Sequence, residues 1–297
     1  MKRSPFFYVG DKYKLMEQIN TLVPKNIQMF VEPFCGGGSV FMNSTAKTFL
    51  CNDLNKWQIK LHKFLNSYKG KRDSFFRKFH GLIKKYNLSA SYLGVTVSDE
   101  LKKKHVKTYF AVYNKDAYAE AKRDFNQDQT NTMLLYLLLI YGFNHMIRFN
   151  TKGEFNLPVG NVDYNSNVNK ALNDYFDFIE ANDISFVSKD FDIFTRNLQL
   201  TSNDFVYCDP PYLITNSEYN KGWSEKEERK LLNLLDFLNE NHVRFALSNV
   251  FEHKGRRNDI LIEWANKYNV HVVHSNYISY YDNSIKTDTI EVLITNF

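Results

Sequence analysis

Several features of secreted and membrane-spanning proteins are missing from this sequence. The longest apolar run, Met133 to Phe143, has 11 residues, well short of the ~20 needed to cross a bilayer. The basic start Met1-Lys2-Arg3 is not followed by an apolar segment, so we expect no secretory signal peptide. There is no internal repeat and no low-complexity linker. These absences favour a cytoplasmic protein.

Cysteine and histidine show no pattern typical of a metal site. The three cysteines, Cys35, Cys51 and Cys208, are odd in number and lack paired metal-ligand spacing, which argues against a disulfide framework. Each lies in or beside a predicted buried strand, so we expect free thiols in a reducing compartment. The eight histidines include no H-x-x-x-H pair and suggest no Ser-His-Asp triad. We therefore expect no metal site.

The chain does contain an uneven distribution of charge. Its 297 residues, 43% of them hydrophobic, suffice for one large domain or two smaller ones. The net charge of +5 divides into +2 over residues 1–55, +11 over residues 56–125 and −8 over residues 126–297. The basic segment indicates a polyanionic partner, although a solvated helix face would explain Lys102-Lys103-Lys104 alone. Aromatic residues interleave with its charges: Phe75, Phe76, Phe79, Tyr86, Tyr92 and Tyr109.

The most informative stretch is Asp209-Pro210-Pro211-Tyr212. It follows the apolar run Phe205 to Cys208, which is typical of a buried strand. Two consecutive prolines cannot continue a strand, so the chain leaves the sheet at this point. A carboxylate, a rigid turn and an aromatic ring therefore meet at the carboxyl end of a strand, where open α/β sheets bind ligands.

Each part of this tetrapeptide has a use in alkylating an amino group on a nucleobase. Such a nitrogen is a poor nucleophile, because its lone pair is conjugated with the ring, and it needs acceptors along its N–H bonds. The Asp209 carboxylate and the Pro210 carbonyl can accept those two hydrogen bonds, and Tyr212 can stack on the base. An ordinary turn after a strand remains the alternative explanation of the tetrapeptide alone.

A second junction between a predicted strand and a turn, here called a corner, precedes it in the chain. The predicted strand Met29 to Phe34 leads into Gly36-Gly37-Gly38-Ser39 and an apolar helix start, a sequence of elements typical of nucleotide sites. Phe41 occupies the place of the third glycine in G-x-G-x-x-G, so a dinucleotide pyrophosphate is not favoured. Bare glycine backbone lets a ligand lie against it. Asp53, which ends the predicted strand Thr48 to Asn52, could hold a ribose; together these features suggest S-adenosylmethionine.

The remaining patterns define an α/β chain. Helical spacing begins at Lys12, where the helix dipole disfavours a cation, so this lysine either has a ligand or is exposed to solvent. Ser224 and Glu227 form a predicted capping box. Further helices are predicted over much of 56–124 and over 129–141, 168–182, 224–241 and 259–268. Further strands are predicted over 184–188, 244–249, 271–278 and 289–295, the last two as an antiparallel pair with a polar loop at 280–288.

Residues 144–160 predict a hairpin around the turn Thr151-Lys152-Gly153. Arginine pairs with guanine and asparagine with adenine in the major groove, so Arg148 and the neighbouring asparagines could read base edges. A structural hairpin with exposed polar residues is the alternative.

At this point the sequence resembles a known family, the Dam-like, D12-class DNA adenine-N6 methyltransferases. The second half is especially similar to the Dam proteins of T-even phages, in V-Y-C-D-P-P-Y-L-I-T (206–215), W-S-E-K-E-E (223–228) and L-S-N-V-F-E-H (247–253). The other motifs are Y-V-G-D-K (8–12), E-P-F-C-G-G-G-S (32–39), N-D (52–53), N-H-M-I-R-F-N-T-K-G-E-F-N-L-P-V-G (144–160), K-D-F (189–191) and T-I-E-V-L-I-T-N (289–296).

The resemblance implies roles for individual residues. The implied catalytic residues are Asp209, Pro210, Pro211 and Tyr212. The implied S-adenosylmethionine-binding residues are Tyr8, Lys12, Glu32, Phe34, Gly36, Gly38, Ser39, Asp53, Asp190, Phe191 and Asp209. The implied DNA-binding residues are Phe143, where the target base leaves the stack, and Asn144, Met146, Arg148, Asn150 and Pro158, which would contact the site.

The same resemblance implies a fold and a function. The fold would be a Rossmann-like sheet of seven strands, the last antiparallel, with an inserted helical and hairpin recognition region. Residues 1–55 and 166–297 would form the catalytic domain and residues 56–165 the inserted region. The enzyme would methylate a flipped adenine at N6 in double-stranded DNA, in GATC or another GAT-containing site, in the cytoplasm of a bacterial or phage-infected cell, without a metal or a membrane.

Three residues depart from the family pattern. Asp11 replaces the second glycine of Gly-Gly-Lys, Phe7 replaces a lysine that contacts the first guanine, and Asn161 replaces a basic residue after P-V-G. These departures leave a degenerate or longer site open. Two other functions also remain: a non-catalytic DNA-binding protein on the same fold, or methylation of RNA or a glutamine amide. Asp209 argues against the glutamine substrate, which is associated with asparagine at this position.

Overall fold

The computed structural model describes residues 1–8, 10–215, 222–274 and 289–297. The predicted loop 280–288 and the end of the predicted strand 271–278 therefore lie outside the described residues. The helices are α1 (Met16–Leu22), α2 (Lys56–Asn66), α3 (Arg72–Lys85), α4 (Asp99–Lys104), α5 (Tyr109–Gln127), α6 (Thr132–Tyr141), α7 (Ser166–Ala181), α8 (Phe191–Arg196), α9 (Glu225–Glu240) and α10 (Asp259–Ala265). The strands are β1 (Ile27–Glu32), β2 (Ala46–Asn52), β3 (Asp183–Val187), β4 (Phe205–Cys208), β5 (Arg244–His253), β6 (Arg256–Arg257), β7 (Asn269–Val273) and β8 (Thr289–Thr295).

One mixed sheet organises the described part of the chain. Its strands run in the order β3-β2-β1-β4-β5-β8-β7, and the two-residue β6 pairs with β5. All pairs from β3 to β5 are parallel, whereas β8 is antiparallel to both β5 and β7. The predicted α/β class and the antiparallel last strand are thus confirmed; β6 was not predicted.

The strand order reverses between β1 and β4. The chain moves outward from β1 through β2 to β3, then returns to place β4 on the other side of β1. The chain leaves the carboxyl ends of β1 and β4 toward opposite sides of the sheet. A crevice remains between the two connections, and ligands of open α/β sheets bind in such crevices. The two corners singled out in the sequence, after Glu32 and after Cys208, follow these two strands.

Alternating side chains of the strands pack into two hydrophobic clusters on opposite faces of the sheet. Phe30 and Tyr207 belong to one cluster, with residues of α2, α3, α6 and α7, while Val31 and Val206 belong to the other, with residues of α9 and α10. Strands covered on both faces consist largely of apolar residues, which explains why the short runs could be recognised in the sequence.

The long crossover between β2 and β3 carries α2 to α7. Helix α6 is buried all around, and its Tyr136 hydroxyl donates a hydrogen bond to the Pro5 carbonyl (3.0 Å). None of the described helices is long and apolar enough to span a bilayer. Phe75, Phe79 and Tyr86, three of the aromatic residues that interleave with the charges of the basic segment, are buried in the same cluster as the sheet and form core.

Two local predictions also need correction. The glycine turn after β1 leads into a single 3-10 turn, Phe41–Asn43, not an α-helix, because β2 already begins at Ala46. Ser224 is the N-cap residue of α9, but its side chain makes no capping hydrogen bond, so the predicted capping box is absent from this helix end.

The predicted hairpin is present as paired bridges flanking a tight turn. Phe149 pairs with Phe155, and Gly142 pairs with Val159. A Cβ on Gly160 would lie 2.7 Å from the Gly142 carbonyl oxygen, so the two backbones approach more closely than any larger residue allows. The hairpin is thereby fixed directly to the end of α6.

Asn161, the departure from the family pattern, has a structural role. Its Oδ1 accepts hydrogen bonds from the backbone N–H groups of Phe110 (2.9 Å) and Ala111 (3.3 Å) in the first turn of α5. These N–H groups have no partner inside the helix, so an oxygen from a distant residue satisfies them. The side chain therefore attaches the hairpin to the basic helical region.

We expect Asn161→Ala to lower the free energy of unfolding by about 1 kcal/mol, the usual effect of removing a helix N-terminal acceptor. Urea unfolding monitored by circular dichroism measures this change. The matched control is Asn167→Ala, at an exposed asparagine of α7 whose side chain has no hydrogen bond to any residue that the structure describes. This variant should stay within about 0.5 kcal/mol of the wild type. Equal losses in both variants would contradict a capping role for Asn161.

Candidate functional site

A cavity of about 740 Å³ opens at the carboxyl ends of β1, β2 and β4. Small-molecule sites in proteins commonly have volumes of about 300–1,000 Å³, and this cavity falls within that range. The structure brings every residue predicted for catalysis or cofactor binding to its lining: Tyr8, Lys12, Glu32, Phe34, Gly36, Gly38, Ser39, Asp53, Asp190, Phe191, Asp209, Pro210, Pro211 and Tyr212. The six predicted DNA-contacting residues are not among the lining residues.

Lys12 and Asp209 form a buried ion pair at the centre of this site. The Lys12 ammonium lies 3.0 Å from Asp209 Oδ1, and the lysine is only 4% exposed. Tyr212 donates its hydroxyl to the same oxygen (3.0 Å), and the ammonium lies 4.9 Å from the centre of the Tyr212 ring. The solvent-exposed alternative for Lys12 is therefore wrong. Among the described residues, these polar contacts use Oδ1 of Asp209 rather than Oδ2.

Glu291 on β8 is a second carboxylate at this centre, and sequence reasoning missed it. Its Oε1 lies 3.7 Å from the Lys12 ammonium and 3.5 Å from the Tyr212 hydroxyl. The residue is 5% exposed and stands between Ile290 and Val292 in a strand rich in apolar residues. A lone acid in such a strand was the available indication, because glutamate is seldom buried without a partner.

The glycine turn after β1 is covered by protein side chains. A Cβ on Gly37 would lie 2.6 Å from the Tyr8 Cβ, and one on Gly38 would lie 2.4 Å from the Phe41 ring. The Ser4 hydroxyl also hydrogen-bonds the Gly37 carbonyl. The absent side chains thus make room for Tyr8 and Phe41. The three glycines also line the cavity, so contact between a ligand and the glycine backbone stays a prediction.

His62, from α2, supports the same turn from below. It is fully buried, with Nε2 lying 2.9 Å from the Gly36 carbonyl oxygen and Nδ1 3.0 Å from the Tyr175 hydroxyl. Because a carbonyl only accepts, Nε2 carries the proton and Nδ1 accepts from the tyrosine. Burial lowers the pKa of His62 to about 4, against the smaller opposing effect of the Gly36 bond. The ring is thus neutral at physiological pH.

Two further carboxyl groups lie around the turn. Asp53 uses Oδ2 to accept from Gly36 N–H (2.9 Å) and Oδ1 to accept from Asn55 N–H (2.8 Å). Burial raises its pKa against these two bonds. Glu32 accepts from the Phe41 N–H (3.2 Å), and burial, followed by the nearby Asp209 carboxylate, raises the pKa of Glu32 well above its usual range.

Three aromatic rings form one wall of the cavity. The centre of the Phe34 ring lies 5.0 Å from that of Phe191 and 5.7 Å from that of Trp223. The Trp223 indole donates to Glu228 (2.7 Å), a buried carboxylate that also accepts from Asn249 and Asn258. Trp223 was not predicted as a site residue, although the W-S-E-K-E-E segment contains it.

Asp190 and Lys230 lie at the edge of the aromatic wall. The Lys230 ammonium lies 2.9 Å from Asp190 Oδ1 and 5.0 Å from the centre of the Phe191 ring. Asp190 also caps α8 by accepting from the N–H groups of Asp192 and Ile193. Despite partial desolvation, its hydrogen bond to Lys230 and these backbone bonds lower the pKa of Asp190. It is therefore an ionised acceptor at neutral pH.

The predicted DNA-contacting residues cluster on the hairpin and its base. Phe143 is 50% exposed, and its N–H donates to the Pro158 carbonyl (2.9 Å). Asn144, next in the chain, adopts a left-handed backbone conformation with φ of 52°. Met146 packs against the main hydrophobic cluster. Phe143 and Pro158 thus lie side by side as exposed apolar groups.

Arg148 and Asn150 have side-chain partners within the hairpin. The Arg148 Nε donates to Asn156 Oδ1 (2.9 Å) and its Nη2 to the Asn156 carbonyl (3.1 Å). The two terminal nitrogens form the other edge of the guanidinium, which faces away from these bonds. This edge can donate two parallel hydrogen bonds to a pair of acceptors in one plane. Asn150 uses both atoms of its amide within the turn, with Lys152 and Glu154.

Two departures from the family pattern acquire physical explanations. Phe7 is buried, with its ring 5.0 Å from that of His145, and the exposed Arg3 guanidinium lies 4.8 Å from the Phe7 ring. Asp11 accepts from the Tyr13 N–H (3.2 Å) at the start of the 3-10 turn before α1.

The three cysteines are buried free thiols, as predicted.

The sequence is similar to several known proteins. The family model described as D12 class N6 adenine-specific DNA methyltransferase matches residues 8–278. The modification methylase StsI of Streptococcus sanguinis is 35% identical over 305 residues, covering 99% of this chain and 43% of that protein. The type II methyltransferase M.FokI of Planomicrobium okeanokoites is 35% identical over 303 residues with the same coverage. The chain thus spans less than half the length of either protein.

A shorter protein matches along most of its own length. The DNA adenine methylase of Escherichia coli (strain K12) is 26% identical over 294 residues, covering 92% of this chain and 88% of that protein. The match therefore spans both the sheet and the crossover that carries the hairpin.

We expect His62 to make stability depend on pH. The folded protein binds the His62 proton less readily than the unfolded chain, whose histidine pKa is about 6.5. The contribution of His62 to the free energy of unfolding is therefore fully present above about pH 6.5. It is lost as the pH falls through the folded-state pKa of about 4. The full loss would be about 3 kcal/mol.

Urea unfolding between pH 4 and pH 7.5 measures this dependence. His62→Gln should be less stable at neutral pH but should lose less on acidification, because one titrating group is removed. His145, whose pKa burial also lowers to about 4, remains in both proteins. His274→Gln, at an exposed histidine, is the matched control. An unchanged slope in His62→Gln would show that His62 does not titrate as inferred.

Proposed function

The chain belongs to the family of D12 class N6 adenine-specific DNA methyltransferases, and from that premise we propose what it binds and how it acts. It transfers a methyl group from S-adenosylmethionine to N6 of an adenine flipped out of duplex DNA, in GATC or another GAT-containing site. The observation that carries this proposal is the Asp209-Pro210 corner at the point of strand reversal, with the carboxylate fixed by Lys12 and Tyr212.

The cavity suits S-adenosylmethionine in shape and charge. Its described lining carries six carboxyl groups, from Asp11, Glu32, Asp53, Asp190, Asp209 and Glu227, and two lysines, Lys12 and Lys189. This excess of acid favours a ligand with a sulfonium and an ammonium group. The wall of Phe34, Phe191 and Trp223 suits the cofactor's adenine, and Asp53 its ribose. When bound, this cofactor supplies an electrophilic methyl group.

Positioning is the main contribution of the protein's own residues. The target amino group donates one N–H to the Asp209 carboxylate and the other to the Pro210 carbonyl, which directs its nitrogen toward the methyl donor. Tyr212 stacks on the base. As the nitrogen bonds to the methyl carbon, the bond from that carbon to the donor sulfur would break and the sulfonium would leave as a neutral thioether. The nitrogen thereby becomes positively charged, and one proton leaves to Asp209 and then to solvent. Asp209 acts mainly as an oriented acceptor, because the proton becomes acidic only as that charge develops.

Recognition of DNA is assigned to residues 56–165, and chemistry to residues 1–55 and 166–297. Phe143 is exposed beside Pro158, where an apolar side chain can occupy the place of an extruded base. Arg148, held on one edge by Asn156, keeps its terminal nitrogens available for O6 and N7 of guanine. The positive charge of residues 56–125 attracts the phosphate backbone.

Methylation in cells tests this function directly. DNA from cells expressing the chain should resist a nuclease blocked by GATC methylation and be cut by one that requires it. Asp209→Ala should lower the transfer rate by at least ~10², with S-adenosylmethionine affinity by calorimetry nearly unchanged. Asp192→Ala, which removes a carboxylate outside the cavity lining, is the control. Wild-type turnover by Asp209→Ala would refute the mechanism; transfer only to RNA would refute the substrate.

The two DNA-facing regions should respond differently to substitution. Replacing Lys102, Lys103 and Lys104 by alanine should weaken binding to all duplexes alike, with the log–log salt slope reduced by ~0.9 for each lost phosphate contact. Arg148→Ala should cost ~1–3 kcal/mol on the matched site and much less on mismatched sites.

Fluorescence anisotropy on matched and single-mismatch duplexes, at several salt concentrations, separates these effects. Lys152→Ala, at an exposed charge in the hairpin turn, controls for simple loss of a cation near Arg148. Equal losses on every duplex for Arg148→Ala would make it a phosphate contact and leave base recognition to other residues.

A further inference from the structure

The Lys12 ammonium faces two carboxylates that differ in distance. Asp209 Oδ1 lies 3.0 Å from the ammonium, and Glu291 Oε1 lies 3.7 Å from it. The side chains of Lys12 and Glu291 are 5% and 6% exposed, while that of Asp209 is 19% exposed. Of the two acids, the one in contact with the lysine is thus the one a substrate can reach from the cavity.

This arrangement creates a competition at Asp209. Methyl transfer, as proposed above, requires the carboxylate to accept an N–H from the target adenine. The same group already accepts from the Lys12 ammonium and the Tyr212 hydroxyl. A cation held tightly on the acceptor lowers its ability to orient a neutral amino group and to take up the positive charge that develops there.

Glu291 is placed to relieve this competition. It lies on β8, which is hydrogen-bonded to β5 on one side and to β7 on the other, so its backbone is fixed. The same Oε1 lies 3.5 Å from the Tyr212 hydroxyl. Both donors that contact Asp209 therefore also face Glu291, and a shift of less than about 1 Å brings either to full hydrogen-bond distance.

We propose that Glu291 is a positioning residue that holds the Lys12 ammonium and the Tyr212 hydroxyl while Asp209 binds the target amino group. The inference rests on the proposed function, because it assigns Asp209 to the target base. Lys12 remains protonated throughout, and no proton passes to Glu291. The proton released by the methylated nitrogen leaves through Asp209 to solvent.

The charge of the cluster also supports this role. Two carboxylates and one ammonium leave one negative charge near the place where the adenine nitrogen becomes positive. With glutamine at position 291 the cluster would be neutral, and Asp209 would be the single anionic partner of Lys12 within the cluster. The Glu32 carboxyl, on the neighbouring β1, accepts from the Phe41 N–H instead.

The test is Glu291→Gln, which keeps size and hydrogen-bonding atoms but removes the charge. The rate of methyl transfer in a single turnover should fall about 10-fold or more, as expected for losing a hydrogen bond to a charged group. Affinities for S-adenosylmethionine and for duplex DNA should stay within a factor of about two, because ground-state binding is not what this carboxylate supports. Glu252→Gln, on β5 beside Arg257, should behave as wild type.

A double-mutant cycle distinguishes action through Lys12 from a general structural effect. In a Lys12→Met background the further loss caused by Glu291→Gln should be clearly smaller, because the cation that Glu291 holds is gone and the Tyr212 hydroxyl alone remains. Glu291→Asp, which keeps the charge on a shorter side chain, should restore part of the rate. If Glu291→Gln does not fold, the transfer rate of Glu291→Asp, compared with that of the wild type, tests the inference in its place.

The outcomes separate the inference from the function beneath it. Wild-type transfer by Glu291→Gln, or an undiminished loss in the Lys12→Met background, would overturn the inference while Asp209→Ala remained inactive. Parallel loss of cofactor affinity and turnover in both Glu291 variants would also overturn it, since that result marks a structural residue. Wild-type turnover by Asp209→Ala would instead refute the proposed mechanism on which the inference rests.

Discussion

The buried ammonium of Lys12 is the contact on which the rest of the site depends. It joins the N-terminal segment to the end of β4 and to β8, three parts of the chain that are far apart in sequence. Taking a lysine and two acids out of water costs free energy that their attraction seldom recovers in full. The cluster is therefore better explained by positioning than by stability: it orients Asp209 at the end of β4, beside the reversal of strand order between β1 and β4.

The N-terminal segment is also what couples the two halves of the site. Ser4 hydrogen-bonds the glycine turn, Pro5 accepts from Tyr136 of α6, and Phe7 packs on His145 at the base of the hairpin. The same few residues thus contact the glycine turn at the cavity, the buried helix α6 and the base of the hairpin. A displacement at the hairpin base would reach the lining of the cavity through Phe7 and Tyr8, without passing through the sheet.

Sequence patterns predicted what depends on local chemistry. The short apolar runs, the proline corner after β4 and the glycine turn after β1 were recognisable because burial on both faces and backbone restriction leave a direct mark on residue type. The antiparallel pairing of the last two strands was predicted from their residue patterns. The place of an antiparallel last strand in the parallel sheet came from family resemblance, since it depends on contacts between distant strands. His62, Trp223 and Glu291 were not assigned because each acquires its role from a residue far away in the chain: Gly36, Phe34 and Lys12, respectively. Asn161 looked like a lost basic contact, whereas its amide oxygen caps α5.

The paired glycines at the base of the hairpin have a consequence for how such proteins diversify. The backbones of Gly142 and Gly160 are in contact. The next residue, Asn161, accepts a hydrogen bond from the first turn of α5. Within the hairpin, Phe155 and Leu157 are buried in the main hydrophobic cluster, whereas Arg148 and Lys152 are exposed. Substitutions at the exposed positions can therefore accumulate in evolution without disturbing the contact between the two glycines or the buried side chains.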